Sequence, residues 1–405
     1  MNDLNNSVQL KNLTNLKMRL LSLSVLRDLL EDPVLQSLLG YLDSLEKGSA
    51  SEGVSCYGEF VSKLYKANGG FLGDHVMTLC ENSDNVYVGL IGRGNTPPLH
   101  IEQSIRNELA TLNDISRLTP EILLESLDVN CPLPSFASGD KNVCDEYIRR
   151  CENVGKYGYG IYAGNHMFYL DDNGAITPVM NPDPVTEDSL VGYHRERKKV
   201  YDNTLALLSG KPAANVLLTG DAGTGKSTAI KAVANALWRE GLRVIELRKN
   251  QLTYIPELLD RLALNPLKFI LYIDDLSFQS DDDNFNALKA VLEGSVSARS
   301  RNVVIYATSN RRHIIKEKFS DREGDDIHRN DTVQEFMSLS DRFGIHITFS
   351  KPDKASYLCI VKELAKQKGI TMPEEELEMQ AERFALERGG RSPRLAKQFT
   401  DLLMI

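Results

Sequence analysis

The segment Val-Leu-Leu-Thr-Gly-Asp-Ala-Gly-Thr-Gly-Lys-Ser-Thr-Ala-Ile, residues 216–230, constrains this chain more than any other part of it. An apolar run suited to a buried strand passes into a turn carrying Gly220, Gly223 and Gly225, and Lys226-Ser227 then opens a helix. The spacing is that of the phosphate loop, G-x-x-x-x-G-K-[S/T], in the strand–loop–helix setting where that loop operates. Glycines let the backbone curl until successive N–H groups point at one anion, and the helix N-terminus adds the positive end of its dipole. The reading places Gly220, Asp221, Ala222, Gly223, Thr224, Gly225, Lys226, Ser227 and Thr228 around a nucleoside triphosphate. Lys226 reaches the β- and γ-phosphates, and the Ser227 hydroxyl ligates Mg²⁺. Chance alone would produce the four fixed positions in roughly 1–2% of chains this long, and the flanking apolar strand and helix reduce that much further.

From residue 190 onward the pattern alternates between strand and helix. Strands are predicted at 215–219, 242–248, 268–273, 302–307 and 345–349, with helices at 226–240, 251–264, 283–294, 331–341, 353–368, 374–387 and 393–403. Such alternation implies a parallel sheet covered on both faces, with ligand at the carboxyl ends of the strands. The last 50 residues read as helices alone, a small lid over the nucleotide.

Acidic and polar groups fall where those strands end. Lys268-Phe269-Ile270-Leu271-Tyr272-Ile273-Asp274-Asp275 is an apolar strand closed by two acids. A carboxylate beside the phosphate loop supplies the oxygen ligand that Mg²⁺ needs, which assigns Asp274, and Asp275 is placed to orient or deprotonate an attacking water. The strand ending in Ala307 is closed by Thr308-Ser309-Asn310, whose amide can hold that water near the γ-phosphate. Arg342 stands just before the strand predicted at 345–349. In Gly389-Gly390-Arg391-Ser392-Pro393-Arg394, Ser392 caps the final helix and Pro393 takes its first position, which projects Arg394 back toward the nucleotide.

The first half is built differently. Leu13, Leu16, Leu20, Leu23 and Leu30, then Leu35, Leu38, Leu42 and Leu45, recur at helical spacing on either side of Pro33. They suit either an ordinary helical core or a surface for association. Residues 48–53 read as a flexible joint, and helices are predicted at 54–67, 72–82, 100–113, 120–128 and 141–152. Alternating aromatics from Tyr157 to Tyr169 around Asp171-Asp172-Asn173-Gly174 predict a small β-hairpin, and Asn181-Pro182-Asp183-Pro184 a linker. The predicted organisation is a helical region over 1–154, hairpin and linker over 155–184, a nucleotide domain over 185–352 and a helical lid over 353–405.

Composition narrows the function class. No apolar run approaches the ~20 residues needed to span a membrane. The N-terminus lacks the basic-then-apolar build of a secretory signal. The six cysteines have no metal-ligand spacing and are expected as reduced thiols, so the expected compartment is the cytoplasm. A net charge of −9 argues against a chain that is basic all over and leaves DNA binding to a local stripe.

The ordered set of motifs over residues 190–405 resembles the AAA+ ATPases. The resemblance implies a P-loop AAA+ parallel sheet sandwiched by helices, with a small C-terminal α-helical lid and a mostly helical N-terminal region carrying the hairpin. It implies that Val191-Gly192-Tyr193 contacts adenine, that residues 220–228 are Walker A and that Asp274 is the Walker B acid. It likewise implies that Asn310 is sensor one, Arg342 the arginine finger of the initiator and helicase-loader branch, and Arg394 sensor two. The strings Asp-Asp-Leu-Ser-Phe, Ala-Thr-Ser-Asn-Arg-Arg-His and Leu-Ser-Asp-Arg-Phe-Gly resemble more narrowly a prokaryotic AAA+ group, the domain-of-unknown-function family eight-fifteen. ATP and Mg²⁺ are then the expected ligands, a homo-oligomer the expected state, and the N-terminal region the expected site for a protein partner.

Two departures qualify the resemblance. Most AAA+ proteins carry Glu where this chain has Asp275, one methylene shorter, so slow, switch-like hydrolysis is expected. Residues 249–256 lack the aromatic–apolar–Gly pore loop of protein-unfolding machines, and the chain stops at Ile405 without the C-terminal DNA-binding domain of replication initiators. Guanine specificity is disfavoured, because no Asn-Lys-x-Asp base-reading motif is present.

Overall fold

The computed structural model describes residues 2–47, 49–125, 127, 131–276, 283–293, 301–310 and 341–404. The chain forms two compact units, Met1–Gly164 and Asn165–Ile405. Among the described residues no helix is long and apolar enough to cross a membrane.

The first unit is helical: α1 (Asn2–Leu21), α2 (Pro33–Lys47), α3 (Ala50–Asn68), α4 (Leu72–Asn82), α5 (Val86–Gly92), α6 (Leu99–Ser116), α7 (Pro120–Leu124), α8 (Val143–Glu152) and α9 (Val154–Tyr157). The leucines at helical spacing, all but Leu30, are buried in this unit's own core beside Tyr41, Tyr57 and Phe60. The ordinary-core alternative therefore accounts for them. Pro33 begins α2 as expected, with Asp32 Oδ1 accepting from the N–H groups of Val34 (3.0 Å) and Leu35 (2.9 Å). Residues 48–53 are not a joint throughout. Ser49 caps α3, so residues 50–53 are its first turn, where Gly53 lies against Leu127 in space too small for a side chain. The helix predicted at 120–128 ends at Leu124.

The second unit is built on a seven-stranded sheet. Its strands are β1 (Met167–Leu170), β2 (Ile176–Pro178), β3 (Val216–Gly220), β4 (Leu242–Leu247), β5 (Lys268–Ile273), β6 (Val303–Ser309) and β7 (Ile345–Phe349). The order is β2-β1-β4-β5-β6-β3-β7, parallel throughout except for the β1–β2 hairpin. The hairpin adds two strands to the five predicted, because β1 pairs in parallel with β4, Phe168 opposite Ile245. Helices α10 (His194–Leu208) and α11 (Lys226–Leu237) cover one face, burying Val216, Leu218, Ile270, Tyr272, Val304 and Tyr306. On the other face α12 (Ile255–Ala263) packs on β6 and against α13 (Asp283–Glu293). Both faces being covered explains why these strands read as apolar runs.

The chain ends in α14 (Lys354–Gln367), α15 (Glu374–Glu387) and α16 (Pro393–Leu402), packed through Tyr357, Val361, Ala381, Ala385, Ala396 and Phe399. The fold class is thus the one expected: a mostly parallel sheet between helices, a C-terminal helical lid and a helical N-terminal region. Most of the helix predicted at 331–341 lies outside the described residues.

One buried carboxylate organises the start of the first unit. Glu108, 6% exposed, accepts from Ser24 N (2.9 Å), Ser24 Oγ (2.6 Å), Val25 N (3.0 Å) and Leu26 N (2.8 Å). Glu108→Ala leaves these donors without a partner and is expected to cost about 2–4 kcal/mol. Glu108→Gln, which keeps one acceptor oxygen, is expected to cost less. Denaturant unfolding of the full chain checks both.

Candidate functional site

The strand order β5-β6-β3 brings the carboxyl ends of three strands side by side, and each carries a predicted site group. Gly220 ends β3, Asp274 follows β5 and Asn310 follows β6. Residues 221–225 link β3 to α11, with Gly225 (φ +95°) in the N-cap position. Thr224 is buried and ties the loop to itself, Oγ1 donating to Asp221 O at 2.8 Å. Asp221 and Ala222 are exposed at the loop's outer side, and Ser227 and Thr228 are half-buried in the first turn of α11.

Lys226 is 5% exposed, and its ammonium has a partner for each of its three protons. It donates to Gly220 O (2.8 Å), Asp221 O (2.8 Å) and Asn310 Oδ1 (2.9 Å). Burial pulls its pKa below the usual lysine value, against the opposing pull of Asp221, Asp274 and Asp275. Asn310 turns its other end to Asp275, with Nδ2 donating to Oδ1 at 2.8 Å. One amide therefore links the loop lysine to the second acid. Asp275 itself has φ +51°, a left-handed backbone that is uncommon outside glycine.

The first acid is held more closely. Asp274 Oδ1 accepts from Thr308 Oγ1 (2.6 Å), Ser227 Oγ (2.8 Å) and Asp275 N (3.2 Å). Partial desolvation pushes its carboxyl up. Donation from Thr308, Ser227 and the Asp275 N–H, with the polar Tyr272 hydroxyl nearby, outweighs that, and the net shift is below the ordinary carboxylate value. Stability from this ionisation is present above the unfolded value near 3.8 and is lost as pH falls through the lower folded value. A serine hydroxyl and an ionised carboxylate are hard oxygen donors 2.8 Å apart. No group of three or more His, Cys, Asp or Glu is gathered for a metal among the described residues. That set fits Mg²⁺, which takes one or two carboxylates and completes its shell with phosphates and water rather than with an all-protein cage.

The lid reaches the same loop. Ser392 caps α16, its Oγ accepting from Leu395 N at 3.2 Å, and Arg394 N donates to Gly223 O at 3.1 Å. A cleft of about 1040 Å³ opens between the segment before α10 and helix α14. Gly192, Tyr193 and Ile360 are among its walls. Tyr193 (φ +52°) lies 5.2 Å from the Phe349 ring, and its hydroxyl donates to Ser350 O at 2.5 Å. Arg342 is placed apart from all of these. It precedes β7 at the strand's amino end, half-buried, while the phosphate loop begins level with Phe349 at the carboxyl end. Four strand residues at ~3.3 Å each separate the two levels.

A family model described as "Protein of unknown function (DUF815)" matches residues 163–404. The chain belongs to this DUF815 family. No curated protein matches it. Among solved structures it is similar to the Thermotoga maritima RuvB Holliday junction branch migration motor, with 17% identity and a TM-score of 0.37. A variant of that motor gives 18% and 0.37. In both cases 53% of this chain aligns with 63% of the other, less than two thirds of its length. At that level the likeness carries no information about activity.

For this DUF815 chain two residues at the site escaped motif reading. Thr308 holds Asp274 through its hydroxyl and accepts from Asp275 N at 3.0 Å. Tyr272 lies two residues before Asp274, hence on the same face of β5. Strand alternation could have flagged Tyr272. Thr308 needed the pairing of β5 with β6, which sets Ile273 opposite Ala307.

The loop's glycines differ in what they tolerate. A Cβ on Gly220 (φ +133°) would lie 2.0 Å from Phe349 O, whereas one on Gly225 would meet nothing within 4 Å. Gly225→Ala is therefore expected to cost only backbone strain, about 1–2 kcal/mol. Gly220→Ala must also push β3 off β7 and is expected to lower the melting temperature well beyond it. Thermal melts of the two variants check the order.

Proposed function

We propose that this DUF815 protein is a Mg²⁺-dependent, ATP-hydrolysing AAA+ protein that couples nucleotide state to a conformational change on a partner. The observation that carries the reading is the linked set at the strand ends: Lys226 to Asn310 (2.9 Å), Asn310 to Asp275 (2.8 Å) and Ser227 to Asp274 (2.8 Å). Loop residues 220–228 wrap the triphosphate, and Lys226 exchanges its carbonyl partners for β- and γ-phosphate oxygens. Ser227 and Asp274 hold the cation. Mg²⁺, when bound, neutralises developing charge on the phosphates. Asp275 takes the proton of the attacking water, and Asn310, released from Lys226, orients that water against the γ-phosphorus. Gly192 and Tyr193 receive adenine in the cleft, and Arg394 carries the state of the loop into the lid.

Arg342 is assigned to a neighbouring subunit's site. Its position at the amino end of β7 keeps it from its own chain's phosphates and supports action in trans, hence a homo-oligomer. The helical unit Met1–Gly164 is proposed to hold the protein partner. Within this reading residues 185–352 form the nucleotide domain and 353–405 the lid, in a cytoplasmic protein, while the boundary expected at 154 moves to Gly164 because the hairpin joins the second unit's sheet.

A second reading is favoured by the Asn310–Asp275 bond. An acid one methylene shorter than Glu, already engaged at 2.8 Å, suits an ATP-dependent switch or scaffold with little turnover. A DNA-remodelling loader is opposed by the net charge of −9 and would require salt-sensitive, ATP-stimulated DNA binding.

Turnover measured against protein concentration tests the proposal. Turnover per chain is expected to rise with concentration and to be lost in Lys226→Ala and Asp275→Asn. In Arg342→Ala it should fall by about 10³-fold or more. Mixing Lys226→Ala with Arg342→Ala is expected to restore part of the activity, because each supplies what the other lacks. A rate indifferent to dilution and to Arg342→Ala overturns the finger in trans. Tight ATP binding with negligible wild-type turnover selects the switch.

A further inference from the structure

The Tyr272 hydroxyl is buried, the residue being only 2% exposed, and has no hydrogen-bond partner among the described residues. A buried polar atom left unpaired is costly, and such atoms are few in folded proteins. Its surroundings say what it lacks. Tyr272 shares a strand face with Asp274, two residues on. Across the sheet it stands opposite Tyr306, two residues before Thr308 on the neighbouring strand. Helix α11, which starts at Lys226 and carries Ser227, covers this face. The hydroxyl is close enough to Ser227, Asp274 and Thr308 to interact with each, but makes a well-formed hydrogen bond to none. Tyr306, its neighbour of the same type, contrasts with it. That hydroxyl is satisfied by Asn203 Nδ2 (2.9 Å) and Thr204 Oγ1 (2.8 Å).

The nearby carboxylate of Asp274 already takes three hydrogen bonds on Oδ1. One of them comes from Ser227, whose oxygen turns to the cation when the pair acts as ligands. We propose that Tyr272 is a positioning residue of the cation site: when Ser227 leaves Asp274 for the cation, the Tyr272 hydroxyl takes its place on the carboxylate and fixes the ligand's orientation. This inference rests on the reading of Ser227 and Asp274 as Mg²⁺ ligands. A phenol at this position then acts on cation affinity rather than on the triphosphate. Groups that orient a metal's ligands from the shell outside them typically contribute 10–100-fold in affinity.

Tyr272→Phe keeps the ring and removes the hydroxyl. Binding of a fluorescent ATP analogue to the full chain, titrated with Mg²⁺ and repeated in EDTA, is the measurement. The half-saturating Mg²⁺ concentration is expected to rise at least about tenfold, while affinity in EDTA stays within about twofold. Because the hydroxyl is unpaired in the nucleotide-free protein, the melting temperature in EDTA is expected to equal or exceed that of the wild type. An unchanged Mg²⁺ profile, an equal loss with and without Mg²⁺, or a clearly lower melting temperature in EDTA overturns the role of Tyr272. In the first of these cases a Mg²⁺-dependent wild type leaves the proposed function standing. A wild type whose nucleotide affinity ignores Mg²⁺ overturns both.

Discussion

The buried ammonium of Lys226 is the constraint on which the rest of the second unit depends. A charge taken from water must be hydrogen-bonded or it is lost by deprotonation or unfolding. Here Gly220 O, Asp221 O and Asn310 Oδ1 satisfy it from two strand ends and the loop between. Those acceptors come together only if β3 and β6 are neighbours in parallel register, with Thr219 opposite Ser309. The lysine thus specifies the sheet order locally as much as the apolar strands do globally. It also makes the resting loop responsive. An incoming phosphate offers the ammonium a stronger, charged partner, and whichever acceptor it surrenders is freed to act elsewhere.

Asp274 and Asp275 show how one strand end can give adjacent carboxylates different environments. Asp274 collects donors from β6, from α11 and from the following peptide, and it is held ionised. Asp275 is turned by its positive φ and, among the described residues, takes the Asn310 amide on its carboxylate. A well-held anion suits a ligand to a hard cation, and a loosely held one suits a group that must meet water. The division follows from a single backbone turn after β5 and needs no difference in residue type.

Much of this was legible in the sequence, and what was not has a common physical cause. The phosphate loop, the strand with two acids, the Asn310 tip and the Ser392-capped helix are local patterns, fixed by residues within one turn or strand. Seven strands rather than five appear because the hairpin's partner, β4, lies more than seventy residues on in the chain, and periodicity carries no information about pairing. Thr308 was hidden likewise, since it matters only through the acids across the pairing of β5 with β6, whereas Tyr272 shares a strand face with Asp274 and alternation alone could have flagged it. Residues 48–53 misled for a different reason. A glycine there marks a flexible joint by composition, yet Gly53 lies in the first turn of a helix against the Leu127 side chain.

In the proposed function, the step from bound nucleotide to movement falls to the lid. Its last helix meets the loop through the Arg394 N–H to Gly223 O, a bond between two backbones rather than between side chains. Wall residues of the cleft come from both the segment before α10 and α14, with Gly192 lying against Ile360 of the lid. A ligand that fills the cleft and reaches the loop would therefore touch the lid at both ends. Packed cores resist continuous deformation, and the lid has its own core of Tyr357, Val361, Ala381 and Phe399. Within the proposed function, a change in the loop or the cleft would then be passed to the lid as a body rather than absorbed inside it.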